Sequence, residues 1–398
     1  MHGTRALPAE ATGLDRALFT PLKLRECTLR NRIVASPMMT YSATHGHISD
    51  WHLVHLGKLA AGGAGLVFME STKVDPAGCS STRDAGIWKD EFIPNLTRIA
   101  DVIRSQGATP GIQLAHAGRK ARQSLPWDGR VPMDSCPGVD HGEAWEIIGP
   151  SPVAHSPRFS APREMRPDDI ARLVELWGQA ARRADEAGFE VVEIHGGHGY
   201  LIHQFLSEHS NQRVDHYGGT LENRMRFVLE VVRRIRQSWP AHKPLFFRAS
   251  AVDECGWTLE HSVALAKALH AAGVDVIDCS SGGMSAVPAG RDELDYGYQV
   301  EYAHRLREDA GVVTMAVGLI VHAEHAETIV LNRRADLVAI GRELLHNPNW
   351  PLDAALKLGI PSPFAQVATP YGYWLEKRSQ NRNIRPSTWT GPRRLLDS

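Results

Sequence analysis

The chain has little cysteine, little excess charge and no long apolar run, and each shortage excludes a class of protein. Five cysteines among 398 residues, none in a CxxC pair, argue against a disulfide framework or a zinc ribbon and favour a reducing, cytoplasmic setting. A net charge of -1 provides no field for sequence-independent nucleic-acid binding. No run approaches the roughly 20 apolar residues of a membrane span. We therefore expect neither a nucleic-acid nor a membrane partner.

The sequence does contain a regular alternation of short apolar runs and amphipathic stretches. Eight runs are nearly continuous in apolar residues, as is typical of parallel strands buried on both faces. These runs are Arg32–Ser36, Gly65–Glu70, Pro110–Leu114, Val191–His195, Leu245–Arg248, Val276–Cys279, Val312–Val317 and Leu337–Ile340. Helical spacing of apolar residues lies between them, at Trp51–Ala61, Phe92–Ser105, Asp168–Ala187, Leu221–Trp239, Leu259–Ala272, Tyr298–Asp309 and Ala323–Leu331. The pattern predicts an α/β fold, a closed (β/α)8 TIM barrel, with an open doubly wound sheet as the alternative.

The same pattern divides the chain into three parts. Residues 1–17 lack the apolar core of a signal peptide and are expected to form a flexible leader. The barrel is expected over 18–348, and its segment 115–163, rich in Pro, Gly and Ser, is expected to be a cap inserted after strand 3. Residues 349–398 are expected to form a helix and a basic tail. That tail is either a solvated terminus or an arm that packs on a neighbouring subunit.

Polar and aromatic side chains gather at the end of the fourth predicted strand, in the stretch EIHGGHGYL. His195 ends the strand, and His198 and Tyr200 lie just beyond it. A zinc pair, a structural polar cluster, an acyl-transfer dyad and hydrogen-bond donation to an anion or carbonyl are the competing interpretations. The HExxH and GxSxG patterns of zinc and acyl chemistry are absent. Neutral imidazole N–H groups beside a phenolic proton donor favour the last interpretation near neutral pH.

Two further polar residues stand inside predicted strands. The amide of Gln113 needs a partner that both donates and accepts, such as the pyrimidine edge of a flavin, unless it is a satisfied core amide. Arg248 must either join an internal ion pair or face a ligand. A flavin edge that gains negative charge on reduction would suit this cation.

Glycines follow the last three predicted strands in CSSGG, AVGLI and AIGRELL. Barrels commonly build a phosphate site from backbone N–H groups at the ends of strands 7 and 8. Arg342 adds a charge-assisted donor there. No GxGxxG follows a strand, so a Rossmann dinucleotide site is unsupported.

The chain resembles the Old Yellow Enzyme family of FMN-dependent barrel oxidoreductases, and its details are most similar to the thermophilic-like, or class III, branch. The matching segments are LFTPLKLRECTLRNRIVASPM, GIQLAHAGRK, EIHGGHGYLIHQFLS, RVDHYGG, ENR and ADLVAIGRELL. They occur in the family's order and span residues 18–345, which is most of the chain.

The resemblance implies a set of site residues. Those implied to hold FMN are Ser36, Pro37, Met38, Met39, Ser71, Gln113, Arg248, Gly282, Gly283, Gly318, Gly341 and Arg342. Those implied for the substrate are Tyr41, His195 and His198, and those implied for catalysis are Tyr200, His195 and His198. No metal ligand is implied.

The resemblance also implies a reaction in two halves. NADPH or NADH reduces FMN, and flavin N5 then passes a hydride to the β-carbon of a small electron-poor alkene, an α,β-unsaturated carbonyl or nitro compound. His195 and His198 would bind the activating group, and Tyr200 would protonate the α-carbon. Nitro or xenobiotic reduction and amine oxidation on the same fold are alternatives, and a non-catalytic flavin-binding protein is another. Relatives of this kind are expected to be homodimers or homotetramers.

The sequence departs from the family pattern in three places. Met39 stands where the branch usually has cysteine, and because a thioether cannot donate a hydrogen bond, we predict a lower flavin potential. The 115–163 segment is longer than in compact members and contains Trp127 and Trp145. The tail lacks the Arg–aromatic ending that completes a neighbour's site, a role that Arg382 or Arg385 could take.

Overall fold

The computed structural model describes residues 16–133, 146–285 and 294–381. Its strands, numbered in chain order, are β1 (Leu22–Leu24), β2 (Cys27–Leu29), β3 (Ile33–Ala35), β4 (Leu66–Lys73), β5 (Thr109–Ala115), β6 (Ile148–Gly149), β7 (Arg163–Glu164), β8 (Val191–Gly196), β9 (Leu245–Ser250), β10 (Val276–Ser280), β11 (Val313–Val317) and β12 (Leu337–Ile340). The parallel strands β3, β4, β5, β8, β9, β10, β11 and β12 close into a barrel. The (β/α)8 prediction is confirmed, and the open sheet is wrong.

Helices surround the barrel. They are α1 (Asp50–Ala61), α2 (Ile93–Ser105), α3 (Pro167–Glu186), α4 (Leu201–Leu206), α5 (Leu221–Ser238), α6 (Leu259–Ala271), α7 (Val300–Ala310), α8 (Ala323–Leu331), α9 (Arg342–His346), α10 (Trp350–Lys357) and α11 (Thr369–Ser379). The seven predicted helices are all present, to within about two residues at each end. Pro167 begins α3 at a position where the N–H that proline lacks would have no partner within the helix. Gly188, with φ +85°, follows the C-terminal end of α3.

The barrel interior is layered, because side chains two residues apart in a strand point to the same face. The lowest layer is apolar and includes Leu66, Phe68, Val191, Phe246 and Val276, all at most 1% exposed. A second, larger core lies between the strands and the helices. The polar side chains that the sequence places in strands therefore occupy the upper layers, near the C-terminal ends.

The antiparallel hairpin β1–β2 packs under the barrel. Leu22, Leu24 and Leu29 join the same apolar cluster as the lowest interior layer. The bottom of the barrel is thereby sealed with side chains. The barrel closes along a short seam where β3 pairs with β12, with Ile33 opposite Val338.

The described parts of the 115–163 segment are built onto the barrel. Short 3-10 helices at Gly118–Lys120 and Pro126–Asp128 and the paired strands β6 and β7 give the segment local structure. Phe159 is buried, whereas Trp127 is 66% exposed. Trp145, Arg382, Arg385 and the leader up to residue 15 lie outside the described residues, so what the sequence predicts for them stays a prediction.

Two observations concern the described ranges alone. No helix within them combines the length and the apolar character needed to cross a membrane. No three His, Cys, Asp or Glu side chains within them are grouped so as to hold a metal ion.

Candidate active site

Several residues of the loops that follow β3, β8 and β11, at the upper mouth of the barrel, are only partly buried, in contrast to the fully buried strands below. Loops after β3, β8 and β11 each carry a non-glycine residue with positive φ: Tyr41 at +52°, His198 at +53° and Leu319 at +49°. Such backbone conformations are uncommon outside glycine and cluster at functional sites. These positions, together with the side-chain contacts described below, make this mouth the candidate site.

His195, His198 and Tyr200 form one cluster at the end of β8. The ring centroids of His195 and His198 are 5.2 Å apart, and the ring of Tyr200 meets His195 edge-on at 5.0 Å. His198 Nε2 lies 2.7 Å from Ser280 Oγ, and its backbone N–H donates to Ser250 Oγ at 2.9 Å. The three residues that the sequence singles out are thus brought together.

Burial and nearby cations keep His195 uncharged. The ring is 6% exposed, and desolvation lowers its pKa well below the usual range, with His198 and Arg248 acting in the same direction. Its Nδ1 is buried without a hydrogen-bond partner among the described residues. A neutral imidazole with one available N–H is a hydrogen-bond donor to an anion or carbonyl, not a permanent cation.

The loop that carries His198 and Tyr200 is held from two sides. His203 accepts from the backbone N–H of Gly199 at 2.9 Å, and its Nε2 lies 3.1 Å from the buried carboxylate of Asp253. Lys120, from the predicted cap, donates to the carbonyl oxygens of His198, at 2.9 Å, and Gly283. Burial, with Arg119 nearby, lowers the pKa of Lys120 to about 7.

A chain of polar contacts crosses the barrel interior next to the histidines. Gln113 Nε2 donates to Glu193 Oε1 at 2.8 Å. Arg248 Nη1 donates to Asp278 Oδ2 at 2.6 Å and to Ser36 Oγ at 3.0 Å. Arg248 therefore satisfies the ion-pair interpretation and also reaches one of the residues implied for FMN.

Glu193 and Asp278 are two fully buried carboxyl groups in this chain of contacts. Glu193 Oε2 and Asp278 Oδ1 have no N–H or O–H donor within the described residues. Burial, and then the charge of Asp278, raises the pKa of Glu193 well above its usual range, and burial also raises the pKa of Asp278. Like charges this close favour retention of one proton by the pair, which leaves a single negative charge opposite Arg248.

The loop after β3 is fixed by a buried carboxylate of β4. Glu70 accepts from the backbone N–H of Thr40 at 2.6 Å and from its hydroxyl at 2.8 Å, and His52 Nε2 lies 2.8 Å from the same group. These contacts hold Met39 and Tyr41, which flank Thr40, at the mouth. Met39 Sδ accepts from the hydroxyl of Tyr200 at 3.6 Å.

A second buried ion pair lies beside Met39. Lys73 ends β4 with no exposed side-chain surface, and its Nζ is 3.4 Å from Asp84 Oδ2. The ammonium also donates to Ser71 Oγ at 2.8 Å and to the Ser71 carbonyl at 3.1 Å. Ser71, implied as a flavin contact, is thus a lysine ligand as well. Its strand is irregular between Met69 and Thr72, where the pairing register with β5 shifts.

The glycines implied for phosphate lie at the ends of β10, β11 and β12, and all are partly exposed. Gly283 has φ +87°, and a Cβ there would lie 2.8 Å from His198 Cα, so this loop presses on the histidine loop. Arg342 is exposed beside Gly341. The implied phosphate residues are thus gathered on one side of the mouth.

Sequence reasoning missed several site residues for two different reasons. Glu193 and Asp278 carried a detectable signal, because each is a charged residue inside an apolar strand in the way that Arg248 is. Lys73 carried none, since the second strand was predicted to end at Glu70 and in fact continues to Lys73. Asp84 and Lys120 reach the site from loops whose path no spacing reveals.

Comparisons with known proteins find similar sequences and similar structures. A sequence profile of the NADH:flavin oxidoreductase / NADH oxidase family matches residues 17–359. An NADPH dehydrogenase of Geobacillus sp. (strain WCH70) is 44% identical over 350 residues, which cover 87% of this chain and 96% of that protein.

Solved structures show the same architecture. Morphinone reductase superposes with a TM-score of 0.72 at 25% identity, covering 87% of this chain and 91% of that chain. A 2-naphthoyl-CoA reductase in complex with 2-naphthoyl-CoA superposes with a TM-score of 0.77 at 26% identity. That match covers 89% of this chain, which spans only 54% of the longer protein.

Proposed function

This chain belongs to the NADH:flavin oxidoreductase / NADH oxidase family, the Old Yellow Enzyme family, and on that premise we propose that it reduces the activated C=C bond of α,β-unsaturated carbonyl or nitro compounds. It is an FMN-dependent oxidoreductase that uses a nicotinamide cofactor. The relative from Geobacillus is named an NADPH dehydrogenase, and we take NADPH as the reductant here as well.

The residues at the mouth suit FMN. Arg248 offers a cation and Ser36 a hydroxyl on one side, while the amide of Gln113 can both donate and accept, which are the functions that a flavin's pyrimidine edge requires. A Cβ on Gly341 would meet nothing nearer than Met38 Sδ at 3.4 Å, so this glycine leaves space beside exposed Arg342. We assign the flavin edge to the first group and the ribityl phosphate to Gly282, Gly283, Gly318, Gly341 and Arg342.

FMN, when bound, supplies the two-electron chemistry that links NADPH oxidation to alkene reduction. The chain's own residues do the rest. His195 and His198 donate hydrogen bonds to the oxygen of the activating group, where negative charge develops in the transition state. Their 5.2 Å ring separation allows both to reach one oxygen or the two oxygens of a nitro group.

Tyr200 supplies the proton. Its O–H bond breaks as a C–H bond forms at the substrate α-carbon, and the phenolate that remains regains a proton from solvent. Tyr41, whose ring meets Trp127 edge-on at 5.8 Å, closes the substrate side of the mouth. The observation that carries the proposal is the cluster itself, two imidazoles and one phenol on a single side of the barrel mouth.

The test is anaerobic re-oxidation of the NADPH-reduced enzyme. Cyclohexenone, a maleimide and a nitroalkene should each restore the oxidised flavin spectrum, and His195→Ala should slow the enone reaction by roughly 10²–10³-fold, as loss of an oxyanion donor does. His261→Ala, a histidine on the outer helix α6, is the matched control and should leave the rate unchanged. A flavin that NADPH bleaches but no alkene re-oxidises would overturn the proposal and direct attention to nitro-group or amine substrates.

A further inference from the structure

Lys73 is a charged residue of the site that the reaction described above does not use. Its side chain has no exposed surface, although lysine is almost never fully buried unless paired. Burial of an ammonium costs several kcal/mol that its partners must offset. Because this cation lies at the barrel mouth and not in the outer core, we looked for a function among its neighbours.

The contacts of Lys73 converge on the proton donor. Its Nζ lies 5.4 Å from the centre of the Tyr200 ring and 3.9 Å from Met39 Sδ, the atom to which the Tyr200 hydroxyl donates. The ammonium is held in place by Ser71, through both the hydroxyl and the carbonyl oxygen. It therefore cannot swing away from the tyrosine without losing both bonds.

Asp84 partly compensates the ammonium, but its own hydrogen bonds are directed elsewhere. It accepts from the backbone N–H and hydroxyl of Ser80, at 2.6 and 2.8 Å, and from Ser81 Oγ at 2.7 Å. Its distance to Lys73 Nζ, 3.4 Å, is longer than these bonds. Lys73 thus keeps part of its positive charge available to its other neighbours.

Tyr200 is surrounded by groups that differ in sign. Those that face it are Tyr41, Lys73, Cys79, Asp84, Arg130 and His195. Burial, followed by the charge of Asp84, raises the pKa of Tyr200 to about 12, which opposes release of its proton. A cation next to the ring acts against this effect, because an opposite charge stabilises the phenolate.

We propose that Lys73 is a positioning residue for proton transfer: its ammonium, held by Ser71 and Asp84, stabilises the phenolate that Tyr200 becomes when it gives up its proton. This proposal rests on the proposed role of Tyr200 as proton donor. It assigns to the Lys73–Asp84 pair the control of how readily Tyr200 releases and regains a proton. Lys73 itself transfers no proton and touches no reacting atom.

The experiment measures the proton affinity of position 200 without turnover. A polyfluorinated tyrosine, which ionises at lower pH than tyrosine, is placed at position 200 of the FMN-loaded enzyme, and its pKa is read by fluorine NMR. Lys73→Met should strengthen proton binding at least roughly tenfold, since an opposite charge within about 4–6 Å shifts a pKa by one to three units. Asp84→Asn should weaken proton binding, because the negative charge of Asp84 is removed and the ammonium is then unopposed. Comparison of Asp84→Asn with the double variant Lys73→Met/Asp84→Asn isolates the contribution of Lys73.

Controls separate this effect from a structural one. Lys73→Arg keeps the charge and should restore most of the wild-type value, and the double variant Lys73→Met/Asp84→Asn should lie between the single variants. The same fluorinated residue at Tyr217, whose hydroxyl faces Glu230 instead, should not respond to any of them. Should Lys73→Met fail to fold, the double variant Lys73→Met/Asp84→Asn, which removes the buried charges as a pair, is compared with Asp84→Asn, and stronger proton binding in the double variant carries the test.

Equal pKa values at position 200 in wild type and Lys73→Met, or in Asp84→Asn and the double variant, would overturn the proposal. The outcome is independent of the alkene test. The titration can give the expected signs in a protein that reduces no alkene, and alkene reduction can occur with a Tyr200 that ignores Lys73.

Discussion

The two sides of the barrel mouth are built in different ways. The strand half, Glu193, His195, Arg248 and Asp278, stands on β8, β9 and β10, with Arg248 directly opposite both His195 and Asp278 in the strand register. The loop half, Met39, Tyr41, Ser80 and Asp84 together with Lys73, depends on side chains that bond to loop backbone. The strand half inherits its geometry from the barrel, whereas the loop half is positioned by a few replaceable hydrogen bonds.

The strand half should therefore respond to substitution mainly through stability, and Arg248→Met should give the largest effect. It leaves Asp278, which has no exposed surface, without a cation, and breaking a buried pair from one side typically costs about 3–5 kcal/mol. Urea unfolding with and without added FMN measures the loss, since a bound ligand by itself stabilises the folded state. The control is Arg248→Met/Asp278→Leu, which removes both charges. A single variant no less stable than this double variant would show that the unpaired charge of Asp278 does not destabilise the strand half.

A subtler change in the strand half is Glu193→Gln, which keeps the shape of the side chain and removes its titrating carboxyl group. Burial raises the pKa of folded Glu193 far above the 4.5 of an exposed glutamate, so the folded state retains a proton that the unfolded state loses. Wild-type stability should then fall as the pH rises above about 4.5. The variant lacks this decline. Its unfolding free energy should therefore rise relative to that of wild type between pH 5 and pH 8, by about 1.4 kcal/mol for each pH unit below the folded pKa. Unfolding free energies at the two pH values, with exposed Glu222→Gln as control, check it.

The smallest effect near neutral pH is expected at Lys120, which ties the loops after β8 and β10 together and whose contribution develops only above pH 7. Its folded pKa of about 7 lies below the ordinary 10.5, so the unfolded chain binds more protons between these values. The stability of wild type relative to Lys120→Met should increase as the pH rises from about 7 towards 10.5. Urea midpoints across that range, with Lys23→Met as an exposed control, give the measurement. A difference that is flat with pH would show that Lys120 keeps its charge in the folded protein.

How much the sequence could predict follows the same division. Eight barrel strands and seven helices were predictable because apolar periodicity reports burial, and His195, His198 and Tyr200 because they stand at a strand's end. Arg248 was predictable as an internal charge, although its pairing to Asp278 required the strand register. Lys73 was not predictable, since a strand irregularity between Met69 and Thr72 carried the chain beyond the expected end of β4. The roles implied for FMN, the cap and the oligomeric state stay predictions.

The flavin potential predicted from Met39 is also affected by a neighbouring cation in the loop half, Lys73. Loss of a donor at this position was expected to lower the flavin potential. The structure places the ammonium of Lys73 3.9 Å from the thioether, and a nearby cation favours the reduced, more negative flavin. The two influences oppose each other. Any potential measured for the wild-type enzyme therefore reports both residues together.

The pairing of β3 with β12 can form only after most of the chain has been synthesised. Ile33 emerges from the ribosome early, but its partner Val338 is made near the end. At typical elongation rates of 5–20 residues per second, the first barrel strand waits roughly 15–60 s with one edge unpaired. Exposed strand edges recruit other chains. The brevity of this edge, three residues from Ile33 to Ala35, shortens the template that it offers while synthesis continues.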